Sequence, residues 1–444
     1  MPNDQPEPSN DDAEPPEPPR TPLPPGITAR QILGKWPVWA LPSVLVTLVA
    51  FLLALIYSGG VADPRASAYR LPIALVNEDT GPTGGRFVQG IAAAPDPRHH
   101  ISWKVLSPAE AKDRFDSGRL YGAVVVPPDF TASLDAIIRP GTPAANIRQP
   151  HVTLLTNQGA GSLAASLATT AEQVAVPAAS RRIGAGLLAR LTSTGARPTT
   201  SQRMLLENPV TTTTAPGHTI GPRTGLGLTA FYYTLVIVLA GFLGATIISN
   251  GVDGALGYAP SEFGPLRRMR KPLPISRTQT LAAKMAMSVA LSVVTASAVV
   301  LATAVIVRLD MPHLFQLWVF SVCAGAAVGL GVQAITAAFG SLGQLVSMFV
   351  FVALALPSAG ATIPLEAVPG FYRGLGWFEP MRQIAGGVRA IIYFDARGDA
   401  GLERAWLWLC VAVVAALLFG FGITRYYERR GLDRVPPDEL ARPS

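Results

Sequence analysis

Uncharged apolar runs of about twenty residues alternate along the chain with segments where charge, proline and threonine gather. A helix rises about 1.5 Å per residue, so roughly 20 such residues cross a hydrocarbon core of about 30 Å. The runs are Trp36–Tyr57, Thr224–Val252, the stretch between Lys284 and Arg308, Met311–Leu365 and Ala405–Thr424. Met311–Leu365 is too long for one crossing and suits two, with a break at Gly340-Ser341-Leu342-Gly343. The pattern predicts six membrane helices, at 36–57, 226–249, 280–307, 313–338, 343–363 and 405–424. The first exceeds the roughly 7–15 residues of a signal-peptide apolar core and follows a long acidic, Pro-rich segment, so it reads as an uncleaved anchor. Lys284 falls in the first turns of the third helix, where a long side chain is expected to snorkel to the interface.

Between the first two spans the periodicity changes. LPIALVN (71–77), GAVVVP (122–127) and HVTLLTN (151–157) read as buried strands. A turn is expected at Gly81 and Gly84-Gly85. Ser107-Pro-Ala-Glu110 is a capping box opening a helix through about Leu120, Asp129 is placed to cap another, and an Ala-rich helical pattern runs from about Ala160 to Leu191. Strands alternating with helices predict a small α/β domain over 61–191, joined to the second span by a Thr/Pro-rich tether, 192–223. Residues 1–28 are Pro, Asp and Glu with almost nothing to bury, and read as a disordered tail. Residues 364–403 form a re-entrant or helical segment before the last span, and 425–444 a second tail. The expected fold class is an integral membrane α-helical bundle of six transmembrane helices, with an extracytoplasmic α/β domain between helices 1 and 2.

Composition sharpens this reading. Of 444 residues, 49% are apolar and only 15% charged, against roughly a quarter charged in soluble domains, which excludes a purely soluble enzyme. The net charge of +7 does not point to nucleic acid, because the basic residues lie beside apolar spans and across one long loop, with no aromatic-interleaved patch. Residues 250–277 form a basic loop, with Arg267, Arg268, Arg270, Lys271 and Arg277 against Asp253 and Glu262; Arg30 and Lys35 precede the first span. The positive-inside rule then puts that loop and both termini in the cytoplasm of a cell membrane, and 61–223 outside. Cys323 and Cys410 both lie inside apolar runs and cannot staple an outer domain.

Four segments carry a family resemblance: ALVNEDTG (74–81); the run from Ser107 through Gly118 and Tyr121 into AVVVPPDF; SEFGPLRRMRKPLPISRTQTLAAKM (261–285); and PSAGATIPLEAVPGFYRGLGWFEPMRQIAGGVRAIIY (357–393). The chain resembles the phage-infection-protein (YhgE/Pip) type of membrane protein, within the superfamily of ABC-2-type transporter permeases. In the third segment Glu262, Gly264, Leu266-Arg267, Pro274-Ile-Ser-Arg277 and Lys284 are similar to the permease loop pattern. The resemblance implies export of an apolar or amphipathic compound, or of an envelope component, by alternating access in a homodimer. The N-terminal tail has no counterpart in that family, and the outer domain is shorter than the stalks of some relatives.

Candidate chemistry follows. ILGKW (32–36) lacks the spacing and hydroxyl of a P-loop, so an energised transporter would need a separately encoded cytoplasmic ATPase. A short helix presenting Glu262, Arg267, Arg268 and Arg277 would dock such a subunit; the plainer reading is that these charges set topology and touch anionic lipid. Asn77, Glu78 and Asp79 end the first strand, as an outer ligand site or as ordinary turn chemistry. Pro357 and Pro364 interrupt the fifth span, with Glu366 and Glu379 at the rim, as an outer gate or a simple helix end. Gly325-Ala-Ala-Val-Gly329 suits close packing within one bundle or across a dimer. His99 and His100 read as polar surface loop. No enzyme, cofactor or metal site is expected, and the partners are the bilayer, a second copy and the ATPase. The rival reading is a non-transporting envelope scaffold or secretion accessory whose outer domain binds a partner.

Overall fold

The computed structural model describes residues 33, 35–61, 63–139, 147–195, 197–263, 266–268, 271–360, 362–432 and 434. The expected tail, 1–28, and residues 435–444 lie outside the described residues. The chain divides into two units, Met1–Leu53 and Ala54–Ser444. In the first, helix α1 begins at Trp36, and the Trp39 indole N–H donates to the Leu33 carbonyl at 2.7 Å. α1 runs Trp36–Val61 and so continues into the second unit.

There follow β1 (Leu71–Asn77), α2 (Pro82–Ala92), β2 (Ile101–Leu106), α3 (Pro108–Asp116), β3 (Gly122–Val126), α4 (Phe130–Ile138), β4 (His151–Thr156), α5 (Ser162–Ser193), α6 (Thr200–Glu207) and β5 (Thr211–Pro216). The strands form one mixed sheet in the order β2-β1-β3-β4-β5. β1 pairs in parallel with β2 and β3, β3 runs antiparallel to β4, and β4 parallel to β5. β1 and β3 are apolar on both faces because both are covered. Ala74, Val76 and Ala123 pack under Ala111 and Phe115 of α3. On the other face Leu75 and Val124 meet Phe87 of α2, Phe130 and Leu134 of α4 and Val176 of α5. Each such large apolar side chain contributes roughly 1.5–3 kcal/mol on burial.

The three expected strands form, and two more join them. β2 is a half-exposed edge whose sequence, ISWKVL, lacks clean alternation. β5 lies in what the composition reads as a tether. Residues 199–216 belong to the sheet domain: Thr199 and Gln202 make a capping box for α6, Leu206 is buried, and Ser180 donates to Asn208 at 2.7 Å while accepting the Val210 N–H at 3.1 Å. Gly184 lets α6 lie this close, since any Cβ there would collide with the Leu206 carbonyl. Further corrections are local. Gly84-Gly85 lies inside α2, which Pro82 opens from its first turn, and not in a turn. The Ser107 capping box is present, but its helix stops at Asp116. Asp129 sits at the N-cap of α4, yet its carboxylate accepts from the Ser133 hydroxyl instead of capping backbone.

The rest of the chain is mostly helical. α7 (Thr229–Ala255) leads into the short strands β6 (Ser261–Phe263) and β7 (Leu266–Arg268); α8 (Arg277–Val300) extends as a π-helical turn to Ile306; α9 (Leu314–Phe339) precedes α10 (Leu342–Met348). α10 continues as a π-helical turn to Ala353 and then α11 (Ala355–Ser358); α12 (Gly370–Leu375), α13 (Pro380–Tyr393) and α14 (Leu402–Arg429) complete the series. By length and composition, four helices among the described residues can cross a membrane: Thr229–Ala255, Arg277–Ile306, Leu314–Phe339 and Leu402–Arg429. The other two stretches expected to span, 36–57 and 343–363, are represented by the shorter apolar helices Ser43–Gly59 and Leu342–Ala353. α9 packs against α7, α8 and α14. A Cβ on its Gly329 would stand 3.1 Å from the Ser288 Cβ of α8, and one on Gly241 of α7 would stand 3.0 Å from the Gly325 carbonyl. Close packing inside one chain therefore accounts for those small residues.

Candidate functional site

At one end of the helices, polar groups converge on Lys284. It does not snorkel. It is 4% exposed, and its ammonium donates to Asp253 at 2.8 Å and to Ser249 at 2.9 Å. Asp253 also accepts from Arg434. A buried cation must find such partners, because leaving it bare in a low-dielectric interior costs several kcal/mol. Deeper in, Gln333 donates to the Ala245 carbonyl at 2.9 Å and to Ser288 at 3.3 Å, while its Oε1 and the Thr336 hydroxyl have no partner among the described residues.

The loop expected to couple to an ATPase does not form a short helix. Its backbone makes the β6–β7 pair, with Glu262 opposite Arg267 and Ser261 opposite Arg268. The side chains of Glu262, Arg267 and Arg268 lie outside the description. Arg277 turns inward: its Nε donates to the Leu432 carbonyl at 2.6 Å, and its guanidinium stands 5.5 Å from the Tyr427 ring centroid. Beside it Thr278 gives its N–H and hydroxyl to the Glu428 carboxylate at 2.8 and 2.9 Å. These bonds tie the start of α8 to the end of α14.

At the end of β1, Asp79 is a clamp. Its carboxylate accepts from the Gly84 N–H at 3.0 Å, the Thr131 N–H at 3.1 Å and the Thr131 hydroxyl at 2.5 Å, joining α2 to α4. Burial alone would raise its pKa, but these bonds outweigh it and hold the group below the usual carboxylate range. Asn77 accepts the Asp79 N–H at 3.3 Å, and Glu78 is exposed. Asn77 thus makes the local turn bond, while Asp79 also ties α2 to α4.

The four expected gate residues sit in different local settings. Pro357 lies in α11, which ends one residue later, and Pro364 precedes a 3-10 turn, Leu365–Ala367. Glu366 accepts the Tyr121 hydroxyl at 3.0 Å, and its carbonyl accepts the Tyr69 N–H at 2.6 Å, so it faces the sheet domain. Glu379 caps α13 through the Arg382 N–H at 2.7 Å; it is 3% exposed and its Oε1 has no partner among the described residues. The interrupted backbone releases carbonyls that arginines take up: Arg373 donates to Leu365 and Val368, Arg382 to Gly376, and Arg389 to Gly360.

Sequence reasoning did not anticipate the seam between sheet domain and helices. His218 sets Nδ1 3.0 Å from Asp116 of α3 and Nε2 2.7 Å from the Tyr393 carbonyl at the end of α13. Burial would raise the Asp116 pKa, but Lys112 and His218 more than reverse that and lower it. Arg119 donates to Asp399 at 2.8 Å, and Arg397 bridges Asp399 and Asp113. The ring of Phe394 lies 2.8 Å from where a Cβ on Gly118 would be, and Gly118 holds φ +66, which glycine adopts without strain. The contacts that cross the seam join residues 102 to 284 apart in sequence, so no local pattern announces them. Glu172 of α5 was equally hidden. It is fully buried against Gly122, neither carboxylate oxygen has a partner among the described residues, and burial pushes its pKa up to about 9.

Two cavities complete the picture. One, of about 220 Å³, lies between α9, α13 and α14, lined by Phe351, Phe378, Ile384, Trp408 and Leu409, with Gln383 as a polar group. Phe351 comes from the π-helical turn after α10. The other, of about 430 Å³, runs beside the edge of the sheet.

A series of apolar helices, four of them of spanning length, with a mixed-sheet domain between α1 and α7, defines a membrane-associated protein with an inserted α/β domain. The chain belongs to the family described as protein of unknown function (DUF3533), whose model matches residues 43–413 and so takes in both the sheet and the helices. No curated protein and no solved structure matches it.

Proposed function

We propose that the chain is a permease-like exporter of the cytoplasmic membrane. It has six spans, both termini in the cytoplasm and the sheet domain outside, and it acts as a homodimer with a separately encoded ATPase on an apolar or amphipathic compound. The observation that carries this reading is the 220 Å³ cavity among α9, α13 and α14, walled by aromatic and aliphatic side chains and lacking any charged group in its lining. Such a lining suits a molecule that partitions into the bilayer. In support, the 250–277 loop holds five basic residues, and the seam couples α13 to the sheet domain.

Affinity purification from mild detergent, with crosslinking and mass spectrometry, tests the reading. The expected result is a soluble ATPase crosslinked within residues 253–277, with the crosslinks and export both lost in the Glu262→Ala, Arg267→Ala double variant while membrane insertion stays normal. Recovery of only self-contacts and envelope proteins bound through residues 61–223 would overturn it and leave the scaffold reading.

A further inference from the structure

We propose that the groove between β2 and α5 binds one apolar chain of an amphiphile whose head is anionic, a carboxylate or a phosphate. This does not depend on the export reading. The groove measures about 430 Å³. Leu71, Ile101 and Trp103 form its sheet side, and Leu167, Ala171 and Val174 its helix side. It stays open for a definite reason. β2 is the edge of the sheet, and the facing stripe of α5 ends in Ala171, Ala175 and Ala178, too small to fill the gap. Val174, on the helix side of the groove, is left 70% exposed. From Leu167 to Ala178 the helix side extends about 16 Å, an elongated shape that fits a chain better than a ring system.

One end of the groove is polar. Arg65, Asp96 and His100 line it together. Asp96 is already engaged: it accepts the Ile101 N–H at 2.9 Å and stands 3.9 Å from Nδ1 of His100. Burial would raise the Asp96 pKa, but backbone N–H groups and the histidines outweigh it and hold the group below the usual carboxylate range. That leaves the exposed guanidinium of Arg65 for a ligand's acidic head. The position of this end points to the source. Arg65 follows the last residue of α1 by four positions, and Leu167 packs against the cluster of Ile363, Val368 and Tyr372 beyond α11. The groove thus begins where the sheet domain meets the apolar helices, which favours a bilayer amphiphile over a soluble ligand.

The test uses the full chain in phosphatidylcholine nanodiscs with a diazirine-bearing sixteen-carbon fatty acid, and maps the photoadducts by peptide. Saturable adducts are expected within 101–106 and 167–178. They should fall at least tenfold in Ala171→Trp, whose bulk fills the groove, and severalfold in the milder Ala175→Leu, which keeps the test decisive if the tryptophan variant does not fold. Arg65→Glu should weaken labelling by the fatty acid tenfold and leave labelling by the matching fatty alcohol unchanged. A diazirine-bearing lysophosphatidic acid distinguishes the heads, since the true class saturates at the lower concentration. Labelling that is absent, unsaturable or equal in both filled variants overturns the proposal, as does a polypeptide crosslinked to β2 without any lipid adduct. Equal saturation by acid and alcohol, insensitive to Arg65→Glu, overturns the anionic head.

Discussion

Replacing Glu172 by glutamine tests what a carboxyl buried without partners does to the sheet domain. Its pKa rises from 4.5 to about 9 on burial beneath the sheet. The folded chain therefore holds this proton more tightly than the unfolded chain does. The stability associated with it is complete below pH 4.5 and declines by about 1.4 kcal/mol per pH unit as the pH climbs toward about 9. At pH 7 the loss amounts to roughly 3 kcal/mol, and between pH 5 and 8 it changes by about 4 kcal/mol. Asp79 and Asp116 act in the opposite sense, since their lowered values contribute stability that is lost only as the pH falls below the ordinary aspartate range. They do not interfere in that window. Pulse proteolysis of the full chain in urea and mild detergent, from pH 5 to 8, reads the stability of residues 63–216. The wild-type midpoint should fall more steeply with pH than that of Glu172→Gln. A buried amide without partners costs about 1–3 kcal/mol, so the variant is the weaker protein at pH 5 and the stronger at pH 8. Parallel pH profiles for the two proteins would refute the reasoning.

Three further outcomes are expected. Asp79→Ala strips three donors of their acceptor and should cost about 2–3 kcal/mol in the same assay, whereas Glu78→Ala, on an exposed side chain, should stay within about 0.5 kcal/mol. Lys284→Met leaves Asp253 with Arg434 alone and should cost about 3 kcal/mol, read as a lower thermal midpoint in detergent; adding Asp253→Asn should recover part of it, and no recovery would count against the pair. Gly184→Ala drives a methyl into the Leu206 carbonyl and should cost about 2 kcal/mol, with faster hydrogen exchange confined mainly to residues 199–208.

What the sequence reveals depends on how far apart the interacting residues lie. LPIALVN, GAVVV and HVTLLT are short apolar runs whose burial needs no distant information, and the Ser107 and Thr199 capping boxes act over three residues. The strand Thr211–Pro216 is the opposite case: four successive threonines carry no alternation, and only pairing with β4, sixty residues earlier, makes them a strand. Lys284 invites a snorkelling reading until Asp253, 31 positions away, comes to lie 2.8 Å from it. Glu172 looks like any helix glutamate, since nothing nearby in sequence says that its face is turned to the sheet. The Gly118 and Tyr121 positions within the resemblance motif were legible as a pattern, but their contacts with Phe394 and Glu366 were not.

The seam has a mechanical consequence. The turn at Gln158–Ala160, which starts α5, is wedged against Gly227 and the side chain of Tyr393, so this long helix is rooted where α13 ends. The 32 residues of α5, with Pro177 in the interior, amount to a helical rise of about 48 Å. A tilt of only 5° at its root, well within what packed helices undergo, would sweep the far tip through roughly 4 Å. Small rearrangements of α13 would thus be written large at the opposite end of the sheet domain, where a neighbour able to sense a few ångströms would register them.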